Sequence, residues 1–228
     1  MFRRSLRFAL SCTAALAFLA GAALAESPEE LLNRVGAKAK SLKSYEYTMT
    51  STTKSSAMQM ESKGTNCCVR EGDTVMMRME MTNTMTIQGM PPQETASVTV
   101  SDGKTMWTEM RQGGQTMVMK KAVAKPTDDT AAMKDMLKTG TAKILPSEEI
   151  SGKKCAVLEI TAKPEQEGAP SAVSTYWFAE DCGTMMKMEV KSGDTTTTML
   201  VTELKVDPAI DKSKFSYTPP EGAVVSEM

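Results

Sequence analysis

The sequence contains no histidine. That absence removes the usual nucleophilic triad, any imidazole general base, and the commonest ligand of zinc and Cu(II) sites. Aromatic residues are scarce, at 5% of the chain. Basic and acidic residues nearly balance, 27 against 28, so no basic surface points to nucleic acid. Glycines fall singly or in turn-like pairs, with no loop built to cradle phosphate. None of the five cysteines has the Cys-x-x-Cys redox spacing. Beyond the first 25 residues no apolar run approaches membrane-spanning length.

The one long apolar run lies at the start. Arg3, Arg4 and Arg7 precede a stretch from Phe8 to Leu24 that closes on Ala23-Leu24-Ala25, the small-x-small pattern of signal peptidase cleavage. Residues 1–25 are therefore read as an export signal. A membrane anchor fits less well, because the run is short, rich in Ala and ends in a cleavage site. Cys12 sits inside the run rather than after it, so a lipidated mature terminus is not expected. Removing the leader's three arginines leaves 24 basic residues against 28 acidic, a net charge of −4. Residues 26–228 form one domain of ordinary size, soluble after cleavage, in an oxidising compartment.

Export gives the remaining cysteines, Cys67, Cys68, Cys155 and Cys182, a setting in which disulfides form. Cys155 opens one strand pattern and Cys182 follows the next, so a Cys155–Cys182 bond is the first choice. Adjacent residues of a strand face opposite ways, which leaves the pairing of Cys67 and Cys68 open.

Ser27-Pro28-Glu29-Glu30 combines an N-cap, a proline at the first helical position and a capping-box glutamate. Leu31, Val35, Ala39 and Leu42 then give a helical apolar stripe ending near Ser44. From Tyr45 the period changes to two. The clearest alternation runs Val75, Met77, Met79, Met81, Asn83, Met85, Ile87, opposed by Arg78, Glu80, Thr82, Thr84 and Thr86. Turns are expected at Ser101–Lys104 and Gly113-Gly114, and a second helix over Asp128–Lys138. Strands follow at Lys154–Thr161, Ser174–Ala179, Met185–Val190 and Thr197–Val206. The pattern predicts an α+β, mainly β domain built on a single antiparallel sheet.

Methionine is in excess: 13 of the 21 fall between Met49 and Met119. Three readings stand. Met can replace Leu and Ile in a core, it can adapt to varied apolar ligands, or its thioethers can hold Cu(I) or consume oxidant, with Met-x-Met at Met58/Met60, Met77/Met79/Met81, Met117/Met119 and Met186/Met188. A catalytic reading has weaker footing. Ser51-Thr52-Thr53-Lys54, Ser101-Asp102-Gly103 and Lys138-Thr139-Gly140 mimic the motifs of penicillin-recognising serine enzymes, yet Ser51 lies in a strand pattern rather than at a helix start. Glu148-Glu149 and Glu180-Asp181 fall in polar, turn-like sequence and are read as solvated. No enzyme activity and no cofactor are expected.

Several segments resemble the lipoprotein carrier (LolA-like) superfamily. Residues 150–161, Ile-Ser-Gly-Lys-Lys-Cys-Ala-Val-Leu-Glu-Ile-Thr, are similar to the family's strand opened by a Gly-Lys turn. Tyr176-Trp177-Phe178, Asp181-Cys182-Gly183 and Met185-Met186-Lys187-Met188-Glu189 resemble its Trp-bearing strand, turn and return strand. Phe215-Ser216-Tyr217-Thr218-Pro219-Pro220-Glu221-Gly222-Ala223 resembles its closing segment, and Asp102-Gly103-Lys104 with Trp107 its central hairpin. The resemblance implies an incomplete, half-open β-barrel with helices packed on the concave side, over residues 26–228. It implies a periplasmic protein that binds or carries lipid or lipoprotein acyl chains, with envelope proteins as further partners. The apolar cavity would then be lined by Val75, Met77, Met79, Met81, Met85 and Ile87, with Trp107, Met186 and Met188 as further candidates. A regulator of envelope stress that senses lipoproteins is a related reading.

Overall fold

The computed structural model describes residues 26–123, 130–164 and 170–227. Ser27 caps the first helix, α1 (Pro28–Ser41): its hydroxyl accepts from the Glu30 amide, and the Glu30 carboxylate accepts from the Ser27 amide at 2.8 Å. The capping box therefore forms as its spacing predicts. The export signal expected over residues 1–25 lies outside the described residues.

Alternating sequence then builds β1 (Ser44–Lys54), β2 (Met58–Glu71), β3 (Thr74–Ile87), β4 (Gln93–Ser101), β5 (Thr105–Gln112) and β6 (Gln115–Ala122). The β5–β6 hairpin turns on Gly113 and Gly114, whose φ values of 57° and 79° are those glycine adopts without strain. The second helix, α2 (Ala131–Thr139), is shorter than the expected Asp128–Lys138, whose first two residues lie outside the described set. The chain continues through β7 (Thr141–Ile150), β8 (Lys153–Thr161), β9 (Val173–Ala179), β10 (Met185–Ser192), β11 (Thr195–Val206), a 3-10 turn at Lys212–Phe215, and β12 (Val224–Glu227). β7 was not anticipated. β7 contains Pro146 and the Glu148-Glu149 pair, features of turn sequence that an edge strand tolerates.

All twelve strands join one sheet in the order β12-β6-β5-β4-β3-β2-β1-β11-β10-β9-β8-β7. The sheet does not close, and β12 and β7 are its edges. Neighbours are antiparallel except β12, which lies parallel to β6. The mainly antiparallel, mostly β architecture agrees with the sequence pattern.

Register sorts the side chains onto two faces, because successive residues of a strand point opposite ways. Ile144, Leu158, Tyr176, Met188, Met199, Ser51, Ser62, Asn83, Thr95 and Gln112 form one row across the sheet. Both helices pack on this face: Leu31, Leu32 and Val35 of α1 meet Ala156, Leu158, Ile160, Tyr176 and Phe178, and Met133, Met136 and Leu137 of α2 join them. The helix-packed core thus lies over β8–β10. The segment after β11 crosses the other face, where Phe215 is buried and Tyr217 packs on Trp107 with ring centroids 5.6 Å apart.

A second buried cluster unites Cys155, Val157, Trp177, Cys182, Met186 and Val201. The end of the β7–β8 hairpin reaches back to it. Glu148 Oε2 accepts from Trp177 Nε1 at 3.0 Å, and Ser151 Oγ donates to the Val201 carbonyl at 2.8 Å. Glu148 is therefore a strand residue with a structural partner rather than a turn residue, and it remains exposed, as expected.

The expected Cys155–Cys182 bond is absent: all four described cysteines are buried free thiols. Cys155 and Cys182 share a cluster, but each sulfur turns to its own segment. Cys155 Sγ lies 3.4 Å from the Lys153 carbonyl and Cys182 Sγ 3.4 Å from Thr184 Oγ1. Burial pushes the Cys155 thiol up to about 11. Unfolding exposes it, so above about pH 8.5 the unfolded chain releases a proton that the folded chain retains. Stability should accordingly fall as pH rises from that range towards 11. Denaturant titrations between pH 8 and 11 should show a shallower decline for Cys155→Ala than for the native sequence.

Candidate functional site

Helices cover only part of their face, and the rows nearer β6 carry the methionines. One row runs Met49, Gly64, Met81, Ser97, Met110, Met117. The next runs Tyr47, Asn66, Met79, Thr99, Thr108, Met119, and a third Tyr45, Cys68, Met77, Ser101, Met106, Lys121. Met60 and Met85 pair at the far end. Val75, Met77, Met79, Met81, Met85, Ile87 and Met188 therefore occupy one face, the face on which the helices lie.

These side chains are neither core nor fully exposed. Val75, Met77, Met79, Met81, Met85 and Ile87 are all half-buried, while Met110 and Met117 are 39% and 49% exposed. The row through Asn66 and Met79 and the row through Gly64 and Met81 carry no charged residue. Between the methionines of β3 and those of β5 and β6, β4 contributes Gln93, Thr95, Ser97, Thr99 and Ser101. The surface is thus two thioether stripes separated by a stripe of hydroxyl and amide groups. Cross-strand hydrogen bonds tie that stripe to its neighbours, Asn83 Nδ2 to Thr95 Oγ1 at 3.3 Å and Thr99 to Thr108 at 3.4 Å.

Gly64 explains how the stripe lies flat. A Cβ at this position would meet the Met81 sulfur at 2.2 Å and the Glu80 carbonyl at 2.4 Å, so Met81 lies across the space that a side chain would fill. Towards the helices the surface meets an apolar cavity of about 170 Å³ lined by Ala39, Leu42, Tyr47, Met133, Phe178 and Met199, among others. Its volume is comparable to engineered cavities of about 150 Å³ that take up benzene. Gly183, at φ 76°, lets α1 approach the turn after β9 closely enough to form this cavity's wall.

Two predicted residues lie elsewhere. Trp107 follows Met106 on β5 and so projects to the opposite face, where it packs on Tyr217 with their rings tilted by 36° and with Lys120 Nζ 5.3 Å above its ring. Met186 sits in a β-bulge between Met185 and Lys187. The extra residue turns it out of the Met185–Met188 register and into the second core cluster, where it is fully buried. Sequence reading missed Met49, Met106, Met110 and Met199, whose place depends on register across distant strands. The β4 hydroxyl stripe was legible as an alternation with Ala96, Val98 and Val100.

The opposite face carries a polar cluster. Glu109, 2% exposed, accepts from the Tyr217 hydroxyl at 2.5 Å and pairs with Arg111. Burial and the Glu109 carboxylate hold the Tyr217 phenol above its ordinary range. These groups anchor the crossing segment to the sheet.

No family model and no curated protein sequence matches the chain. Solved structures do. MucB in complex with MucA(peri) is 14% identical over 84% of this chain, with a TM-score of 0.53. The MucA/MucB complex of Pseudomonas aeruginosa is 15% identical over 83%, with a TM-score of 0.50. This chain spans 60% of the length of each of these. Less similar structures include a LolA superfamily protein from Nitrosomonas europaea, 11% identical over 83% of this chain and 97% of that one, with a TM-score of 0.30. Among the described residues no helix is long and apolar enough to cross a membrane. In fold, the chain is similar to the MucB structures.

Proposed function

We propose that this is an exported, periplasmic, non-enzymatic protein that binds lipid or lipoprotein acyl chains on its helix-bearing face, the concave wall of a half-open barrel. The observation that carries this reading is the methionine surface, uncharged along its two central rows, half-buried and continuous with an apolar cavity beside the helices. A filled core would bury these side chains, and an ordinary wet face would carry charge. Methionine stems adapt to chains of differing shape, which suits a carrier of varied acyl groups. Burial contributes about 0.8 kcal/mol per methylene, so roughly ten methylenes gain about 8 kcal/mol before ordering costs. The β4 hydroxyl stripe would face the ester or amide groups that link such chains.

The test is organic extraction of the purified protein with analysis of the extract, together with titration of a fluorescent fatty acid. Co-purifying lipid and saturable uptake are expected. A clean extract and no uptake would overturn the reading.

A second reading rests on cross-strand thioether pairs, Met60/Met85, Met110/Met117 and Met188/Met199, which place soft ligands side by side for Cu(I). Competition with a Cu(I) chelator decides it, since affinity no greater than that of a methionine-poor control protein would remove copper.

A further inference from the structure

The two edges of the sheet are protected differently. β7 carries Pro146, a bulge between Leu145 and Glu148, and the charges of Lys143, Glu148 and Glu149, the devices that discourage a further strand from pairing. β6 has no proline and no bulge, and its charges, Lys120 and Lys121, are confined to its end. Its edge is instead occupied by β12, which pairs Val224 with Met117, Val225 with Val118, Ser226 with Met119 and Glu227 with Lys120.

Little besides these backbone bonds holds β12. All four of its residues are exposed, Val224 at 67% and Val225 at 46%. Among the described residues its ion pair, Lys120 Nζ to Glu227 Oε1 at 2.8 Å, is solvent-exposed and contributes little. Strands with so little buried side-chain surface open locally at small free-energy cost. The pairing is also incomplete. β6 begins at Gln115, but β12 begins its pairing at Met117, so a longer strand could bond along the edge beyond the start of the present one.

We propose that the β6 edge is an acceptor site for an extended polypeptide strand of a partner protein, and that β12 is a placeholder occupying it. β12 itself defines the chemistry that fits: a parallel strand with β-branched residues and an acid placed to meet Lys120. Alternate side chains of such a strand would extend the row of Met110 and Met117 on the helix-bearing face, where Val224 now lies. The incoming strand gains main-chain hydrogen bonds over the full length of β6, whereas β12 gives up four residues of pairing.

The test uses the full chain and its Val225→Pro/Ser226→Pro variant, which removes two N–H donors of β12. The probe is a fluorescein-labelled eight-residue peptide, Thr-Thr-Val-Val-Ser-Glu-Thr-Thr. The variant should bind it at least tenfold more tightly than the native chain, and the amides of 117–120 should exchange faster in the variant and regain protection with peptide. Equal affinity for both chains, including no binding to either, would overturn the proposal. So would native exchange at 117–120 as slow as that of the central strands β2 and β3.

Discussion

Gly183→Ala is expected to destabilise the protein by about 3 kcal/mol, lowering its thermal midpoint by roughly 6–12 °C. Two independent costs add. The residue sits at φ 76°, where a Cβ is strained, and that Cβ would lie 2.1 Å from the Val35 carbonyl oxygen and 2.9 Å from the Ala39 amide. Both are helix backbone atoms of α1, which cannot rotate away as a side chain could. α1 must therefore lift. The same movement would open the cavity whose wall includes Gly36, Ala39 and Gly183. Lys38, which donates to the Glu180 carbonyl across this contact, would lose its partner as well. Differential scanning calorimetry of Gly183→Ala beside Gly152→Ala separates the causes. Gly152 has φ 75° but open space around its Cβ site, so its variant should lose only the conformational part.

Met79→Glu should reduce fatty-acid uptake at least tenfold, about 1.4 kcal/mol, and leave the fold intact. Met79 lies in the centre of the uncharged surface, between Asn66 and Thr99, and is half-buried. A carboxylate there would have to lose water against a bound acyl chain or exclude the chain, and no cation occupies its row to pair with it. Thr82→Glu is the control on the same strand. Thr82 is exposed on the opposite face, so this variant should bind as the native chain does. Equal losses in both variants would mean that strand charge, rather than the methionine face, governs uptake. Titration with circular dichroism on the same samples verifies that both remain folded.

Much of the framework could be read from local chemistry. The capping box of α1, the β3 alternation and the Gly113-Gly114 turn all depend on residues within a few positions of one another, so their spacing carries the information. Glu148-Glu149 and Pro146 misled because an edge strand accepts residues that an interior strand would reject. Trp107 was placed with Met79 on the family resemblance, although the two-residue period puts it on the opposite side from Met106. Met186 escaped because a bulge has no reliable mark in a run such as Met185-Met186-Lys187-Met188. The cysteines were paired from compartment and strand order, while the actual disposition of each sulfur depends on backbone direction at the end of β9.

The sequence by itself determined that β3 has one apolar and one polar side, that a capped helix precedes a long run of strands, and that no imidazole chemistry is available. Only the tertiary structure decided that the apolar side of β3 shares a face with α1 and α2, that methionines from β1, β2, β5, β6 and β11 join it, and that β12 occupies the β6 edge. The reason is physical. Side-chain direction within a strand follows from the two-residue period, but which strands become neighbours, and in what register, is settled by long-range hydrogen bonding and burial that no local spacing records.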